Sequence, residues 1–300
     1  MAKERLNFPP VTGSLLLHAP TALEYFASLV ADDASFALTE TAASIAHDEV
    51  PALDVQGVLG EIDALAARLK SRIAADAAPM QRLRLLNRFF FQELGFAGNV
   101  NDYYDAKNSY LHCVLQTRRG IPITLAVLYL EIASQIGLHP NGVSFPGHFL
   151  VKLRMPQGEV VIDPFTGQSM SREALDALLV PYRRRQGVAG SPSSLPLALF
   201  LQAASPREIV ARMLRNLKEI HRNADDWLRL HAVLQRLVIL LPTAWEERRD
   251  RGLAAARLGA GDAAAADLTA YLEHVPHAGD RFAIEERLLE LGHGDRKRLH

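Results

Sequence analysis

The sequence contains almost no cysteine, since Cys113 is the single one among 300 residues. One thiol can form neither an internal disulfide nor a metal site built from several cysteines. Structural disulfides are also rare in reducing compartments. This scarcity predicts a cytoplasmic protein that has no disulfide framework.

The sequence also lacks an excess of charge of either sign. Lys and Arg total 33 against 34 Asp and Glu, which leaves a net charge of -1. A nucleic-acid-binding protein needs a basic face to neutralise phosphates. We therefore expect no direct contact with nucleic acid.

Long hydrophobic runs and nucleotide or metal motifs are missing as well. The longest apolar stretch, Ile121 to Leu130, is far shorter than the ~20 residues that cross a bilayer, and Leu15-Leu16-Leu17 is too short for a signal peptide. No glycine-rich phosphate motif and no close pair of metal-ligating histidines occurs. The sequence predicts no membrane span, no secretion, no metal and no cofactor.

Hydrophobic periodicity predicts that the first hundred residues are helical. The best example is an apolar face that repeats every three or four residues, formed by Ile62, Leu65, Ala66, Leu69 and Ile73. A further helix is predicted from Pro79 to a left-handed cap at Gly95. A polar loop, Asn99 to Asn108, follows it.

A buried helix and a β-hairpin are predicted next. Nearly every residue between Ile123 and Ile136 is apolar, so that helix has no face for water and should be central. After Gly137 the apolar residues alternate, which predicts strands on both sides of a turn at 155–158. The tail from Pro206 onward is predicted to be helical throughout.

A repeat is visible in this tail. Leu241-Pro242 recurs as Val275-Pro276 after 34 residues, which is the tetratricopeptide period. Gly252, Ala264 and Leu268 then occupy positions where that repeat has a small residue, a close helix crossing and an apolar plug. We predict a helical part at 1–98, a core at 99–182, a linker at 183–205 and a tetratricopeptide-like domain at 206–300.

The hairpin brings a histidine and an aspartate together. A four-residue loop, Met155 to Gly158, pairs Arg154 with Glu159 and places Leu150 opposite Asp163. His148, predicted to open the first strand, is then a diagonal neighbour of Asp163 at roughly 7–8 Å between backbones. A loop one residue longer or shorter would separate them, and a structural histidine and a turn-forming aspartate are the alternatives.

Several segments resemble the transglutaminase-like superfamily. They are Gly120-Ile121-Pro122, the helix up to Gly137-Leu138, Pro146-Gly147-His148-Phe149 and Ile162-Asp163-Pro164-Phe165. Asn101-Asp102-Tyr103-Tyr104, Asn108-Ser109 and Arg118-Arg119 resemble its bacterial invasion-regulator branch, called Sir-B-one, whose members also carry C-terminal tetratricopeptide repeats. The resemblance implies an α+β, mainly helical fold with a papain/transglutaminase-like core, a buried central helix plus a small antiparallel sheet, before an all-α tail.

The resemblance also implies a thiol mechanism, with a cysteine at the start of the central helix, a histidine and an aspartate. His148 and Asp163 match the last two roles, whereas the cysteine position holds Pro122. Thr124 is the nearest hydroxyl, and a threonine at a helix start is more often structural. Cys113 is the other candidate nucleophile, with a small buried hydrophobe as the alternative.

A group of polar residues precedes the central helix. It could line a cleft beside His148, or could be a hydrogen-bonded loop and a solvated helix end; its members are Asn101, Asp102, Tyr103, Tyr104, Arg118 and Arg119.

Two main functions are compatible with this sequence. The first is a non-catalytic protein that binds a protein or peptide partner in its cleft and on its helical tail. The second is a thiol-dependent amide hydrolase or acyl transferase that uses Cys113 with His148 and Asp163. The branch name suggests a third, transcriptional regulation, which would be indirect because the chain has no basic face or helix-turn-helix signal.

Overall fold

The computed structural model describes residues 20–185 and 196–298. The predicted linker residues from Gly187 to Ser194 and the Leu15–Leu17 stretch lie outside these ranges. The α-helices are α1 (Ala22–Leu29), α2 (Leu38–Ser44), α3 (Val55–Lys70), α4 (Pro79–Asn87), α5 (Leu111–Thr117), α6 (Pro122–Gln135), α7 (Arg172–Arg185), α8 (Leu197–Phe200), α9 (Pro206–Asn223), α10 (Trp227–Leu240), α11 (Trp245–Arg257), α12 (Gly261–His274) and α13 (Arg281–Arg298). The β-strands are β1 (Ala97–Gly98), β2 (Arg119–Gly120), β3 (Pro140–Val143), β4 (Leu150–Met155), β5 (Gly158–Asp163) and β6 (Gln168–Ser169).

The central helix α6 lies where the sequence predicts it. Pro122 occupies the first helical position, where its missing N–H would have had no partner. All residues from Ile123 to Leu130 are buried, and Gly137 ends the segment with a φ of +79° that only glycine adopts without strain. The prediction of a central, buried helix is confirmed for this part, whereas Ser134 in the last turn is exposed.

The helix before the polar loop differs from the prediction of one continuous element up to Gly95. Helix α4 ends at Asn87, and Arg88–Glu93 forms a π-helical turn. The wider turn places Phe90 and Phe91 together against Tyr129, with ring centroids 5.3 and 5.7 Å away. Packing of these aromatic rings therefore overrides the regular helical period.

The sheet has four antiparallel strands in the order β3-β4-β5-β6, whereas the sequence predicts only the β4–β5 hairpin. Arg154 pairs with Glu159 as predicted, but Met155 also pairs with Gly158, so the loop has two residues rather than four. The register is the same in both cases. Glu159 forms its ion pair with Lys152, at 3.2 Å, and not with Arg154.

The two faces of the sheet contact different layers. Val151, Leu153 and Ile162 join the main core around α6. A second cluster covers the other face and is formed by Val143, Phe145, Leu150, Val161, Leu175, Leu179 and Leu197. Leu197 belongs to α8, so the range predicted as a linker contains a short packed helix.

The tail has the helix spacing of the tetratricopeptide repeat. Helices α10 and α12 each have 14 residues and stand 34 residues apart. A Cβ at Gly252 would lie 3.0 Å from Leu268 Cγ, and Ala264 is fully buried at the same crossing. The predicted roles of these three residues are confirmed.

Candidate functional site

His148 lies in a tight turn at the end of the sheet. Its backbone N–H donates to the carbonyl of Phe145 at 3.0 Å, and Gly147 has a φ of +72°. A proline followed by glycine at the centre of such a turn is the signature of type II. Strand β4 begins at Leu150, so the prediction that His148 opens the strand is wrong by two residues. The turn fixes the backbone of the half-buried His148.

Asp163 ends strand β5, and its carboxylate holds the turn that follows. Oδ1 accepts a hydrogen bond from the backbone N–H of Phe165 at 2.9 Å, and Oδ2 accepts one from the Thr166 hydroxyl at 2.9 Å. Both bonds belong to the turn-forming role of an aspartate before proline. The carboxylate therefore has a structural task whether or not it also orients a histidine.

His148 and Asp163 lie near the same end of the β4–β5 hairpin. The pair Val151–Ile162, continued by one residue, places Leu150 opposite Asp163. Among residues 20–185 and 196–298, however, no hydrogen bond joins the His148 ring to the Asp163 carboxylate. An imidazole oriented by a carboxylate stays a prediction.

The expected nucleophile position holds Pro122, and its nearest hydroxyl is buried. Thr124 Oγ1 donates to the carbonyl of Asn108 at 2.7 Å and lies 3.0 Å from the carbonyl of Ile121. The side chain is fully buried. Thr124 thus ties the polar loop to α6 and presents no hydroxyl to a ligand.

Cys113 lies on α5, half-buried against the core. Its Sγ is 3.2 Å from Nε2 of the neighbouring His112, and in the described part of the chain no hydrogen bond joins it to His148. Burial raises the pKa of the Cys113 thiol, Lys107 lowers it and Asp105 raises it, with a net increase. Burial lowers the pKa of His112. A neutral thiol beside a neutral imidazole is the opposite of an activated pair.

The polar loop after β1 is held in place by hydrogen bonds between its own residues. Asn99 Nδ2 donates to Asn108 Oδ1 at 3.0 Å, and Asn108 Nδ2 donates to the carbonyls of Asp102 and Tyr103 at 2.6 and 3.2 Å. Asn101, Asp102, Tyr103 and Tyr104 are exposed, as are Val100 and Lys107. The loop therefore combines a fixed backbone with side chains that face solvent.

Tyr103 connects this loop to the turn after Asp163. Its ring centroid is 5.9 Å from that of Phe165 and 5.3 Å from that of Tyr104. Phe165 in turn lies directly over Gly98, where an added Cβ would be only 2.2 Å from the ring. Glycine at position 98 therefore allows Phe165 to meet Tyr103.

Arg118 and Arg119, which the sequence suggests as cleft residues, have partners in the helical part. The Arg118 guanidinium lies 4.7 Å from the centre of the Phe96 ring and 3.8 Å from Glu61. Arg119 donates to the carbonyl of Gly95 at 2.6 Å. These contacts attach both side chains to the helical part, although Arg118 Nη1 is buried without a hydrogen-bond partner among the described residues.

Arg212 on α9 is the residue that the sequence analysis misses. Nη1 donates to Ser144 Oγ at 2.8 Å and to the carbonyl of Phe145 at 3.3 Å. The guanidinium also lies 5.5 Å from the centre of the Phe149 ring. Arg212 therefore contacts residues that precede and follow His148 in the chain. No motif in the sequence around Arg212 predicts these contacts.

Arg212 and Tyr103 interact electrostatically. Burial lowers the pKa of Arg212, and Tyr103 raises it in part. Burial raises the pKa of Tyr103, which Arg212 lowers and Tyr104 raises, with a net increase. We use the name His148 site for Tyr103, His148, Asp163, Phe165 and Arg212.

Two cavities of the described residues lie elsewhere. One of about 990 Å³ is lined by Arg84, Lys152, Glu159 and Arg172 over an apolar floor. Another of about 540 Å³ lies in the tail between Trp227, Arg249 and Arg257. None of the residues predicted for the site lines either cavity.

Among the side chains that the structure describes, in residues 20–185 and 196–292, His, Cys, Asp and Glu nowhere gather in a group of three that could hold a metal ion. Over the same residues, no helix has the length and apolar character needed to cross a membrane.

Comparison with known proteins identifies two regions. Residues 56–215 match the transglutaminase-like superfamily, and residues 217–289 match the tetratricopeptide repeat. The chain is 38% identical over 261 residues to a UPF0162 protein of Xylella fastidiosa, which covers 87% of this chain and 92% of that protein. It is 31% identical over 265 residues to a UPF0162 protein of Pseudomonas aeruginosa, covering 88% and 94%.

A shorter similarity extends to animals. Over 72 residues the chain is 46% identical to F-box only protein 21 of Mus musculus, which is 24% of this chain and 12% of that protein. No solved structure matches the chain significantly.

Proposed function

Because the chain belongs to the transglutaminase-like superfamily and the UPF0162 family and carries tetratricopeptide repeats, we propose that it is a non-catalytic member that binds a protein partner. The partner segment lies on the His148 site, and the repeat tail offers a second surface. The resemblance of Asn101 to Tyr104 and of Arg118-Arg119 to the Sir-B-one branch supports assigning the chain to that branch.

The observation that carries this proposal is the start of α6. Pro122 has no nucleophilic atom, and the Thr124 hydroxyl is buried and donates to a backbone carbonyl. Covalent acyl transfer needs a nucleophile within hydrogen-bond reach of its base. A mechanism through Cys113 would need the contact with His148 that the described residues do not make.

The surface of the His148 site has the composition of an interface. Tyr103 and Tyr104 are 42% and 76% exposed although they are large and aromatic. Tyrosine and arginine are enriched where proteins bind one another, because they contribute large contact areas and hydrogen bonds together. The internally braced loop limits the entropy that these side chains lose on binding.

The repeat tail supports the same function. Stacked tetratricopeptide helices form an extended concave surface that suits a partner segment. The cavity of about 540 Å³ between Trp227, Arg249 and Arg257 lies among these helices. Two binding surfaces on one chain would allow avidity toward a partner long enough to reach both.

Site-specific cross-linking tests the binding role. We replace Tyr104 with the photoreactive residue benzoylphenylalanine in cells and identify cross-linked proteins by mass spectrometry. The control carries the same residue at Leu199, which is 49% exposed on α8. We expect one protein to be captured reproducibly from position 104 and not from 199, and equal capture at both would contradict the proposal.

An activity assay tests the absence of catalysis. Ammonia release from casein glutamines and incorporation of an amine into casein are measured for the wild type and for His148→Ala. We expect both proteins to give the rate of the buffer blank. A wild-type rate that His148→Ala abolishes would show an enzyme and overturn this part of the proposal.

A further inference from the structure

Arg212 is a half-buried cation without a carboxylate partner in the described part of the chain. Its bonded atoms are the Ser144 hydroxyl and the Phe145 carbonyl, and both bonds use the same nitrogen, Nη1. Nε and Nη2 make no hydrogen bond there. Most other arginines at this depth are paired, as Arg207 is with Asp33 at 2.7 Å and Arg251 with Asp267 at 2.6 Å.

In the part of the chain that the structure describes, no carboxylate forms an ion pair with Arg212. Asp163, the acidic member of the same site, accepts hydrogen bonds from its own turn at both oxygens. Tyr103, whose pKa burial raises above its ordinary value, is uncharged at neutral pH. The aromatic face of Phe149 gives only a weak compensating interaction. Nε and Nη2 remain accessible, so either water or a carboxylate can satisfy them, and a partly desolvated charge favours the carboxylate.

We propose that Arg212 binds a carboxylate of the partner, so that the His148 site takes an acidic peptide segment. This inference rests on the proposed function and adds the chemistry of the partner. The unbonded edge of the guanidinium, Nε with Nη2, has the fork geometry that matches the two oxygens of a carboxylate.

The surroundings of Arg212 favour a peptide carboxylate over other anions. One guanidinium supplies one positive charge, which matches one carboxylate, whereas polyphosphates and nucleic acids recruit several cations. The Tyr103 ring, which is 42% exposed, offers apolar surface for the stem of a Glu or Asp side chain.

Binding of a defined peptide tests this inference. Fluorescein-labelled hexaglutamate and hexaglutamine are titrated with the full chain, and fluorescence anisotropy gives both affinities. We expect the wild type to bind hexaglutamate more tightly than hexaglutamine. Arg212→Gln should weaken hexaglutamate binding at least roughly tenfold, because a charge-assisted bidentate pair is lost. The affinity of Arg212→Lys for hexaglutamate should lie between those of the wild type and Arg212→Gln. Lysine keeps the positive charge but loses the paired N–H donors of the guanidinium.

Matched arginines in the two cavities serve as controls. Arg84→Gln changes the cavity of about 990 Å³, and Arg257→Gln changes the tail cavity. We expect both to bind hexaglutamate like the wild type. Unchanged binding by Arg212→Gln, loss in Arg84→Gln or Arg257→Gln instead, or no wild-type preference for hexaglutamate would overturn the inference. Cross-linking at Tyr104 would still be expected in that case, so the two proposals fail separately.

Discussion

Arg212 and Lys218 lie six residues apart on α9, yet their charges have opposite surroundings. Lys218 Nζ is 2.6 Å from Glu247 Oε2 and 2.6 Å from Asp250 Oδ2, and its side chain is 9% exposed. Arg212, also partly buried, has no carboxylate within ion-pair distance among the described residues. Helix α9 thus carries one cation, Lys218, that is paired with carboxylates of the protein, and one, Arg212, that has no carboxylate partner among the described residues.

This difference indicates that the charge of Lys218 stabilises the fold, whereas we assign the charge of Arg212 to ligand binding. Lys218 replaces the small residue that the repeat has at the equivalent position Gly252, and its ammonium binds helix α11 of the following repeat. A buried cation between two carboxylates holds the helices in register. Arg212 contacts the turn at Ser144 and Phe145 through one nitrogen only and has no carboxylate partner in the described part of the chain, which is why we assign its other two nitrogens to a ligand.

The largest effect is expected from Lys218→Met. The variant leaves Glu247 and Asp250 buried without their shared cation, which should lower the free energy of unfolding by about 3–5 kcal/mol. Urea titration followed by circular dichroism measures it. Arg215→Gln is the control, because Arg215 also contacts Glu247 but is 52% exposed and should cost less than about 1 kcal/mol. Equal losses in the two variants would contradict the special role of Lys218.

The response to acid sharpens the same comparison. Burial raises the pKa of Asp250, but hydrogen bonds from Lys218 and Arg249 lower it further, so the net pKa lies below the ordinary value. This stabilisation is present above the unfolded pKa of about 3.9 and is lost as the pH falls through the lower folded pKa. We expect the wild type to lose stability below about pH 4 more steeply than Lys218→Met in thermal melts. Equal slopes of melting temperature against pH in the wild type and Lys218→Met would contradict the ion pair between Lys218 and Asp250.

A smaller loss is expected from Gly98→Ala. The new methyl would meet the Phe165 ring at 2.2 Å, so the turn after Asp163 must shift. Overpacking of this kind costs about 1–3 kcal/mol. Gly60→Ala on α3 is the matched control, since its Cβ would meet nothing within 4 Å and helix propensity should make it stabilising by about 0.5–1 kcal/mol. Similar melting temperatures for the two variants would contradict the close approach of Gly98 and Phe165.

Much of the fold follows from the sequence, because its signals are local. The apolar run of α6, the glycine that ends it and the 34-residue repeat each depend on neighbours within one element. The hairpin register follows from pairing Arg154 with Glu159. Strands β3 and β6 are missed because they have four and two residues and gain their pairing from β4 and β5. The π-helical turn is missed since it depends on Tyr129, a distant residue.

The site is less predictable from the sequence, because it depends on contacts between residues that are distant along the chain. The motif around His148 is visible in the chain, and so are the exposed tyrosines. Arg212 is distant in sequence and reaches the site only because α9 packs beside the turn at Ser144 and Phe145. Arg118 and Arg119 stand next to the motif in sequence, yet their contacts lie with Phe96, Glu61 and Gly95. Proximity along the chain therefore does not reveal Arg212.

The Cys113 thiol should react slowly. Burial raises its pKa, and each unit of increase lowers the thiolate fraction about tenfold. We expect iodoacetamide to label the native protein more slowly than free cysteine at pH 7.5, and the urea-unfolded protein at the rate of free cysteine. Intact mass spectrometry gives both rates. Rapid labelling of Cys113 in the native protein would contradict this expectation and support a thiol mechanism.

Arg212→Met tests the contrast between the two cations most directly. Thermal unfolding is measured for the wild type and this variant, each with and without hexaglutamate. Without peptide, we expect the variant to lose at most about 2 kcal/mol, because two hydrogen bonds to Ser144 and Phe145 are lost while an unpaired charge is replaced by an apolar side chain of similar length. Peptide should then raise the melting temperature of the wild type alone. A loss of several kcal/mol in the variant without peptide would show that Arg212 is structural, as Lys218 is, and would contradict the account.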